Sequence, residues 1–187
     1  MILTVVRKYH KAYNRVREGN FLLENLVGIN LHGKTVGIIG TGKIGLLTGK
    51  ILAKGFGSTV IAYDPYPSKA AGEHGITYVQ LEELLARSDI ISLHCPLMES
   101  TKYIINEDTL TQMKKGVILI NTSRGGLIDT KALIRYIIFI FWAFSLSEPF
   151  SEIITGFLKQ DISARSALTS TKRNPPISLQ IPVLRLS

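Results

Sequence analysis

From residue 35 to residue 121 the chain alternates two kinds of apolar pattern. Thr35–Ile39, Val60–Tyr63, Ile90–His94 and Val117–Asn121 are short apolar runs rich in β-branched residues, and they read as strands. Between them Ile44–Phe56, Leu81–Ala86 and Asn106–Lys115 carry helical spacing or composition. Strand and helix in alternation predict a parallel sheet with helices on both faces, a doubly wound α/β domain.

The flanks differ from this middle zone. Val5, Tyr9 and Ala12, with Val6 and Tyr13, recur at three- and four-residue steps, so about residues 1–20 read as an amphipathic leading helix with a cationic outer face. At the other end Tyr136–Phe144 is apolar on all sides, too short for a membrane span of about twenty residues. A helix continuing from Thr130 is the expectation there, because Lys131, Ala132, Leu133 and Ile134 favour it. The Ser/Thr/Pro-rich residues beyond are expected to be mostly irregular. The chain thus divides into residues 1–20, 21–135 and 136–187.

A length of 187 residues with 45% hydrophobic and 19% charged side chains suits one medium-sized globular domain. The single cysteine, Cys95, excludes a disulfide within the chain, and four scattered histidines with one cysteine offer no zinc spacing. The first residues lack the apolar core and small-residue cleavage site of a secretory signal, so a cytoplasmic setting is expected. The net charge of +8 is concentrated: residues 1–17 hold Arg7, Lys8, Lys11, Arg15 and Arg17 and no acid, whereas residues 18–135 hold twelve bases against eleven acids. This segment reads as a solvated or subunit-facing helix, with a polyanion contact as the alternative, and basicity alone does not make a nucleic-acid protein.

Candidate chemistry sits where strands end. Gly40-Thr41-Gly42-Lys43-Ile44-Gly45 closes the first strand and opens the next helix. Gly40 permits a tight turn, Gly42 lets the backbone approach a pyrophosphate, and Gly45 lets helix and strand pack closely. The helix amino end adds free N–H groups and a positive dipole for the anion. Asp64 ends the second strand nineteen residues after Gly45, where a carboxylate can accept hydrogen bonds from the hydroxyls of an adenosine ribose; a turn aspartate before Pro65 is the bland alternative. With Pro65 and no arginine beside the acid, a 2′-phosphate would meet uncompensated negative charge, so NAD is favoured over NADP. In His94-Cys95-Pro96-Leu97 the cysteine is either a nucleophile or a buried backbone contact, the latter favoured because only His94 stands near to activate it. In Asn121-Thr122-Ser123-Arg124-Gly125-Gly126 the fork of Arg124 suits two-point contact with a carboxylate, or else is an exposed loop arginine.

The stretches VGIIGTGKIGLLTGKILAKGFG, AYDPYPS, SDIISLHCPL and MKKGVILINTSRGGLIDTKAL resemble the D-isomer-specific 2-hydroxyacid dehydrogenases, their D-lactate dehydrogenase branch most of all. The leading RKYHKAYNRVREGNF is similar to the helix by which that family enters its coenzyme domain, and the resemblance covers about residues 1–135. It implies a Rossmann-type NAD-binding domain, with pairing of two copies through their coenzyme domains; from the charge distribution and the short apolar run, no nucleic-acid partner and no membrane are expected. Position by position, Lys43 and Ile44 match the turn pair facing the pyrophosphate and Asp64 the ribose acid. Cys95 and Pro96 match the adenosine-side pair, Thr101 the polar position after it, and Thr122, Ser123 and Arg124 the segment beneath the nicotinamide ribose. Arg124 also matches the catalytic arginine that grips a 2-oxo acid, while a histidine, tuned by a glutamate, exchanges the proton.

The chain departs from that pattern in ways that put turnover in doubt. It begins at the leading helix, without the substrate domain that precedes it in the family, and its last histidine is His94, so the acid–base pair is missing. Glu148-Pro149 resembles the family's glutamate-proline pair only superficially. From Arg135 onward nothing matches, which is the expectation for a changed reading frame or retained intervening sequence, a truncated product with little or no activity. A bare apolar edge after the Val117–Asn121 strand is then expected, with aggregation a risk. The competing reading is a non-catalytic NAD-binding sensor or interaction module.

Overall fold

The computed structural model describes residues 1–144 and the two-residue strand Leu184–Arg185. Five parallel strands form the sheet: β1 (Thr35–Ile39), β2 (Thr59–Tyr63), β3 (Ile76–Tyr78), β4 (Ile90–Leu93) and β5 (Ile118–Asn121), in the order β3-β2-β1-β4-β5. β1 to β2 to β3 runs outward in one direction and β4 to β5 in the other, so the order reverses between β1 and β4, where open α/β sheets bind ligands. β3 has three residues, too few to show a period, and the sequence pattern did not reveal it.

The strands are apolar throughout because both faces are covered. Val36, Ile38, Val60, Ala62, Ile90, Ile118 and Ile120 join one buried cluster with Leu52 and Ile76. On that side Gly49 of α3 (Lys43–Lys50) lies against Ile76 and Val60, close enough that a Cβ would stand 2.6 Å from Ile76 Cδ1. α3 widens into a π-helical turn over Ile51–Gly55, completing the Ile44–Phe56 segment read as one helix. The opposite face takes α4 (Leu81–Arg87): a Cβ on Gly37 would meet Leu84 Cδ2 at 2.6 Å and Ser88 Oγ at 2.4 Å. α5 is shorter than the Asn106–Lys115 pattern predicts, spanning Glu107–Thr111: Asn106 Oδ1 accepts from Thr109 N–H as a cap and starts the helix after itself, and the helix ends at Gln112.

The register sets the strand ends level. Ile39 pairs with Tyr63 and with Leu93, and Leu93 pairs with Asn121. Gly40, Asp64, His94 and Thr122 are therefore the first residues past four adjacent strands, at one edge of the sheet.

The basic leading segment is two helices rather than one, α1 (Ile2–Val6) and α2 (Tyr9–Arg17), broken at Lys8 in the left-handed conformation (φ 52). The break leaves the Val6 carbonyl to accept from Ile29 N–H at 2.9 Å, with Gly28 so close that a Cβ would stand 2.2 Å from the same oxygen. Three of the five bases serve this arm: Arg7 donates to Asn30 Oδ1, Lys8 to the Asn25 carbonyl, and Arg15 to the carbonyls of Leu22 and Glu24.

A second unit begins at Thr130, and its described part is α6 (Thr130–Phe144), one continuous helix as the Lys131–Ile134 composition predicts. No helix among the described residues is long and apolar enough to cross a membrane. The expected bare edge is partly covered: β6 (Leu184–Arg185) pairs antiparallel with β5 at Leu119 and Ile118. The expectation of an irregular tail, and Glu148-Pro149, otherwise lie outside the described residues.

Candidate functional site

The three glycines of the Gly40–Gly45 turn are required by different things. Gly40 has φ +95, and a Cβ there would meet Cys95 N at 2.5 Å; on Gly45 one would meet the Gly40 carbonyl oxygen at 2.0 Å. Both are demanded by the protein's own packing. Gly42, at the amino end of α3, has an ordinary extended backbone and nothing within 4 Å of where its Cβ would be. This leaves open space before the helix terminus, whose free N–H groups and positive dipole end suit an anion. Lys43 and Ile44 border the same space and are exposed, Ile44 at 72% of its surface.

Asp64 closes the turn from the side. Its Oδ2 accepts from Thr41 N–H at 2.6 Å and Thr41 Oγ1 at 3.0 Å, and its Oδ1 from Tyr66 N–H at 2.9 Å. An ionised carboxylate has roughly four acceptor directions, so about one remains, on Oδ1. Behind Thr41 the Tyr78 hydroxyl donates to Thr41 Oγ1 at 2.7 Å and accepts from Ser68 N–H at 2.8 Å. Tyr78 and Asp64 also line a cleft of about 360 Å³ with Tyr63, Pro65, Pro67, Val79 and Gln80. Thr41 and Tyr78 lie thirty-seven residues apart, and no local pattern marks them as partners.

Across the switch point, the loops after β4 and β5 are tied together. Ser123 Oγ donates to the Cys95 carbonyl at 2.8 Å. Cys95 is buried, and burial pushes its thiol pKa up, opposed by its own backbone hydrogen bond and reinforced by the Asp64 charge, which disfavours a nucleophile. Pro96 is exposed beside it. Thr101 is buried, its hydroxyl donating to the Pro96 carbonyl at 2.6 Å and accepting from Met98 N–H at 2.8 Å, so it staples its own loop. His94 is half-buried, its Nε2 3.0 Å from Ser92 Oγ, and burial lowers its pKa.

Asn121 shapes the segment that follows: its Oδ1 accepts from Ser123 N–H at 3.0 Å and its Nδ2 donates to the Arg124 carbonyl at 2.8 Å. Thr122 and Arg124 are exposed on that turn, and among the described residues the Arg124 guanidinium donates only to the Ser123 carbonyl, at 3.1 Å. The structure thus gathers Gly40, Gly42, Lys43, Ile44, Gly45, Asp64, Cys95, Pro96, Thr122, Ser123 and Arg124 along one sheet edge.

A doubly wound sheet with an open, glycine-floored turn at its switch point defines a dinucleotide-binding domain. The family model for the "D-isomer specific 2-hydroxyacid dehydrogenase, NAD binding domain" matches residues 1–138. The chain belongs to this family and carries its NAD-binding domain. It is 56% identical over 135 residues to D-lactate dehydrogenase kk1H of Curvularia clavata, covering 72% of this chain and 38% of that protein. The apo structure of D-lactate dehydrogenase from Escherichia coli matches 73% of this chain and 43% of its own at 51% identity, with a TM-score of 0.70. D-lactate dehydrogenase from Aquifex aeolicus, solved with NAD and lactic acid, matches 72% and 40% at 41% identity, with a TM-score of 0.68. The chain spans about two fifths of the length of these relatives.

Proposed function

We propose that this chain holds NAD along the described sheet edge as the coenzyme half of a D-2-hydroxyacid dehydrogenase of the D-lactate type. The observation that carries this is a juxtaposition: the exposed Gly42 leaves the α3 amino end open, and Asp64 is held beside the same turn by Thr41. The α3 amino end and the turn at Lys43 and Ile44 hold the pyrophosphate, and Asp64 takes a ribose hydroxyl on its open Oδ1 direction. Cys95, Pro96 and Thr101 shape the adenosine side, and Thr122, Ser123 and Arg124 support the nicotinamide ribose.

When bound, NADH supplies a hydride for the C2 of a 2-oxo acid. Arg124 grips the substrate carboxylate with its two-pronged fork. Holding the proton is a task these 187 residues leave to no histidine past His94, so by themselves they turn over little. The arm leaves Tyr9, Tyr13, Val16, Phe21, Leu23 and Val27 exposed, Val27 at 84%, an apolar surface that suits a second copy of the chain. The free Cys95 thiol fits a reducing, cytoplasmic setting.

Calorimetric titration with NADH, alongside Asp64→Ala, tests the reading. Saturable binding at micromolar levels that weakens in the variant supports it, and no binding removes it. Pyruvate-dependent NADH oxidation on the order of 10 per second would remove the low-turnover clause. Binding with no turnover even beside a supplied substrate domain favours the sensor or interaction module.

A further inference from the structure

We infer that Tyr78 is a positioning residue for the dinucleotide, setting through Thr41 which lone pair of Asp64 is left for the ribose. The inference rests on Asp64 being the ribose acid, as proposed above. Its carrier is a chain of four hydrogen bonds with a forced direction. A tyrosine or threonine hydroxyl has one proton to give. Ser68 N–H has no choice but to donate, and it donates to the Tyr78 oxygen at 2.8 Å. Tyr78 points its own proton at Thr41 Oγ1, 2.7 Å away, where Thr41 accepts. Thr41 in turn points its proton at Asp64 Oδ2, 3.0 Å away, which already accepts from Thr41 N–H at 2.6 Å. An ionised carboxylate donates nothing, so every proton in the chain points toward Asp64.

This has a consequence for selectivity. With Oδ2 filled by Thr41, the carboxylate is fixed in rotation and offers its remaining acceptor direction on Oδ1, beside the bond from Tyr66 N–H. A ribose hydroxyl donates into that direction, whereas a 2′-phosphate, which donates nothing at neutral pH and carries negative charge, is repelled. Thr41 is buried, and Tyr78 sits at the end of β3, one position short of the Tyr63 level, so the relay is anchored on the sheet rather than on a loop. Linked hydrogen bonds of this kind polarise one another, and losing the first weakens the last.

The test is a titration of the full chain with NADH and with NADPH for the unchanged protein, Tyr78→Phe, Thr41→Val, Thr41→Ser and Asp64→Ala, with circular dichroism confirming that each is folded. Tyr78→Phe and Thr41→Val are expected to weaken NADH by about three- to tenfold while leaving NADPH no weaker, so that the NADH-to-NADPH preference falls. Thr41→Ser, which keeps the hydroxyl, is expected to restore the preference. Parallel loss of both cofactors in Tyr78→Phe and Thr41→Val, the mark of loosened structure, overturns the inference. So does an unchanged preference in both. If Tyr78→Phe fails to fold, the Thr41 pair decides. Should Asp64→Ala collapse the preference while the Tyr78 and Thr41 variants leave it intact, the inference alone fails. If Asp64→Ala also leaves it intact, the ribose-acid reading fails with it.

Discussion

Gly45 lies so close to Gly40 that a Cβ on the first would stand 2.0 Å from the carbonyl oxygen of the second. The helix and the strand it leaves are in contact at their shared turn, and the contact fixes where the α3 amino end points. Gly42, between them in sequence, touches nothing of the protein on that side. Two glycines of one motif therefore answer to the fold, and the third is left free by it.

Substitution separates these demands. Gly42→Ala is expected to leave the melting temperature unchanged and to weaken NADH by tenfold or more, a cost of about 1.4 kcal/mol. Gly45→Ala is expected to cost about 1–3 kcal/mol of stability through overpacking. Thermal melting and NADH titration of the two variants, read side by side, check both statements.

Ser123→Ala removes the bond to the Cys95 carbonyl, the tie between the loops after β4 and β5. The expected cost is about 1 kcal/mol, with a larger effect if the carbonyl stays buried without a partner. Urea denaturation gives the number, and proteolysis in the Asn121–Arg124 loop reports whether the segment has loosened.

Burial holds the His94 imidazole below its ordinary pKa of 6.5. The folded protein then binds fewer protons at this site than the unfolded chain. Stability is full above the unfolded value and falls as pH drops from there toward the lower folded value. His94→Gln is expected to flatten that part of the profile, and urea midpoints measured from about pH 8 down to about pH 5 test it.

Asp89 joins the starts of β1 and β5: it accepts from Thr35 N–H at 2.9 Å and from Lys114 Nζ at 3.1 Å. Burial by itself would raise its pKa, but these two partners and the Lys34 charge outweigh it and hold the carboxyl below the ordinary 3.8. The stabilisation is present above 3.8 and lost as pH falls through the depressed value. Asp89→Asn is expected to reduce stability at neutral pH by about 1 kcal/mol, discounted for partial exposure, and to remove the same increment from the acid transition.

The strands were legible because burial on both faces leaves uninterrupted β-branched runs, and the observed Thr35–Ile39 coincides with the run that announced it. The glycine turn and Asp64 were legible because their spacing along the chain is the geometry. What escaped was non-local or too short. The three residues of β3 carry no period, and the break at Lys8 leaves the Val6 carbonyl to Ile29 N–H, a partner more than twenty residues away in sequence that no local pattern announces. Thr41 stood in a variable slot of the glycine motif, and Tyr78 in a stretch with no motif. Only their meeting in space gives them a part in the site.

The level ends of β1, β2, β4 and β5 make the site a matter of chain length as much as of side-chain identity. Each strand works as a ruler of four or five residues whose last mark sets down one piece of the binding edge. Shortening β2 by a single residue would draw Asp64 back by about 3.3 Å and turn it to the opposite face of the sheet. Such an edge accepts exchanged side chains far more readily than an inserted or deleted one, and its tolerance for altered length lies in the loops beyond Pro65, Pro96 and Arg124.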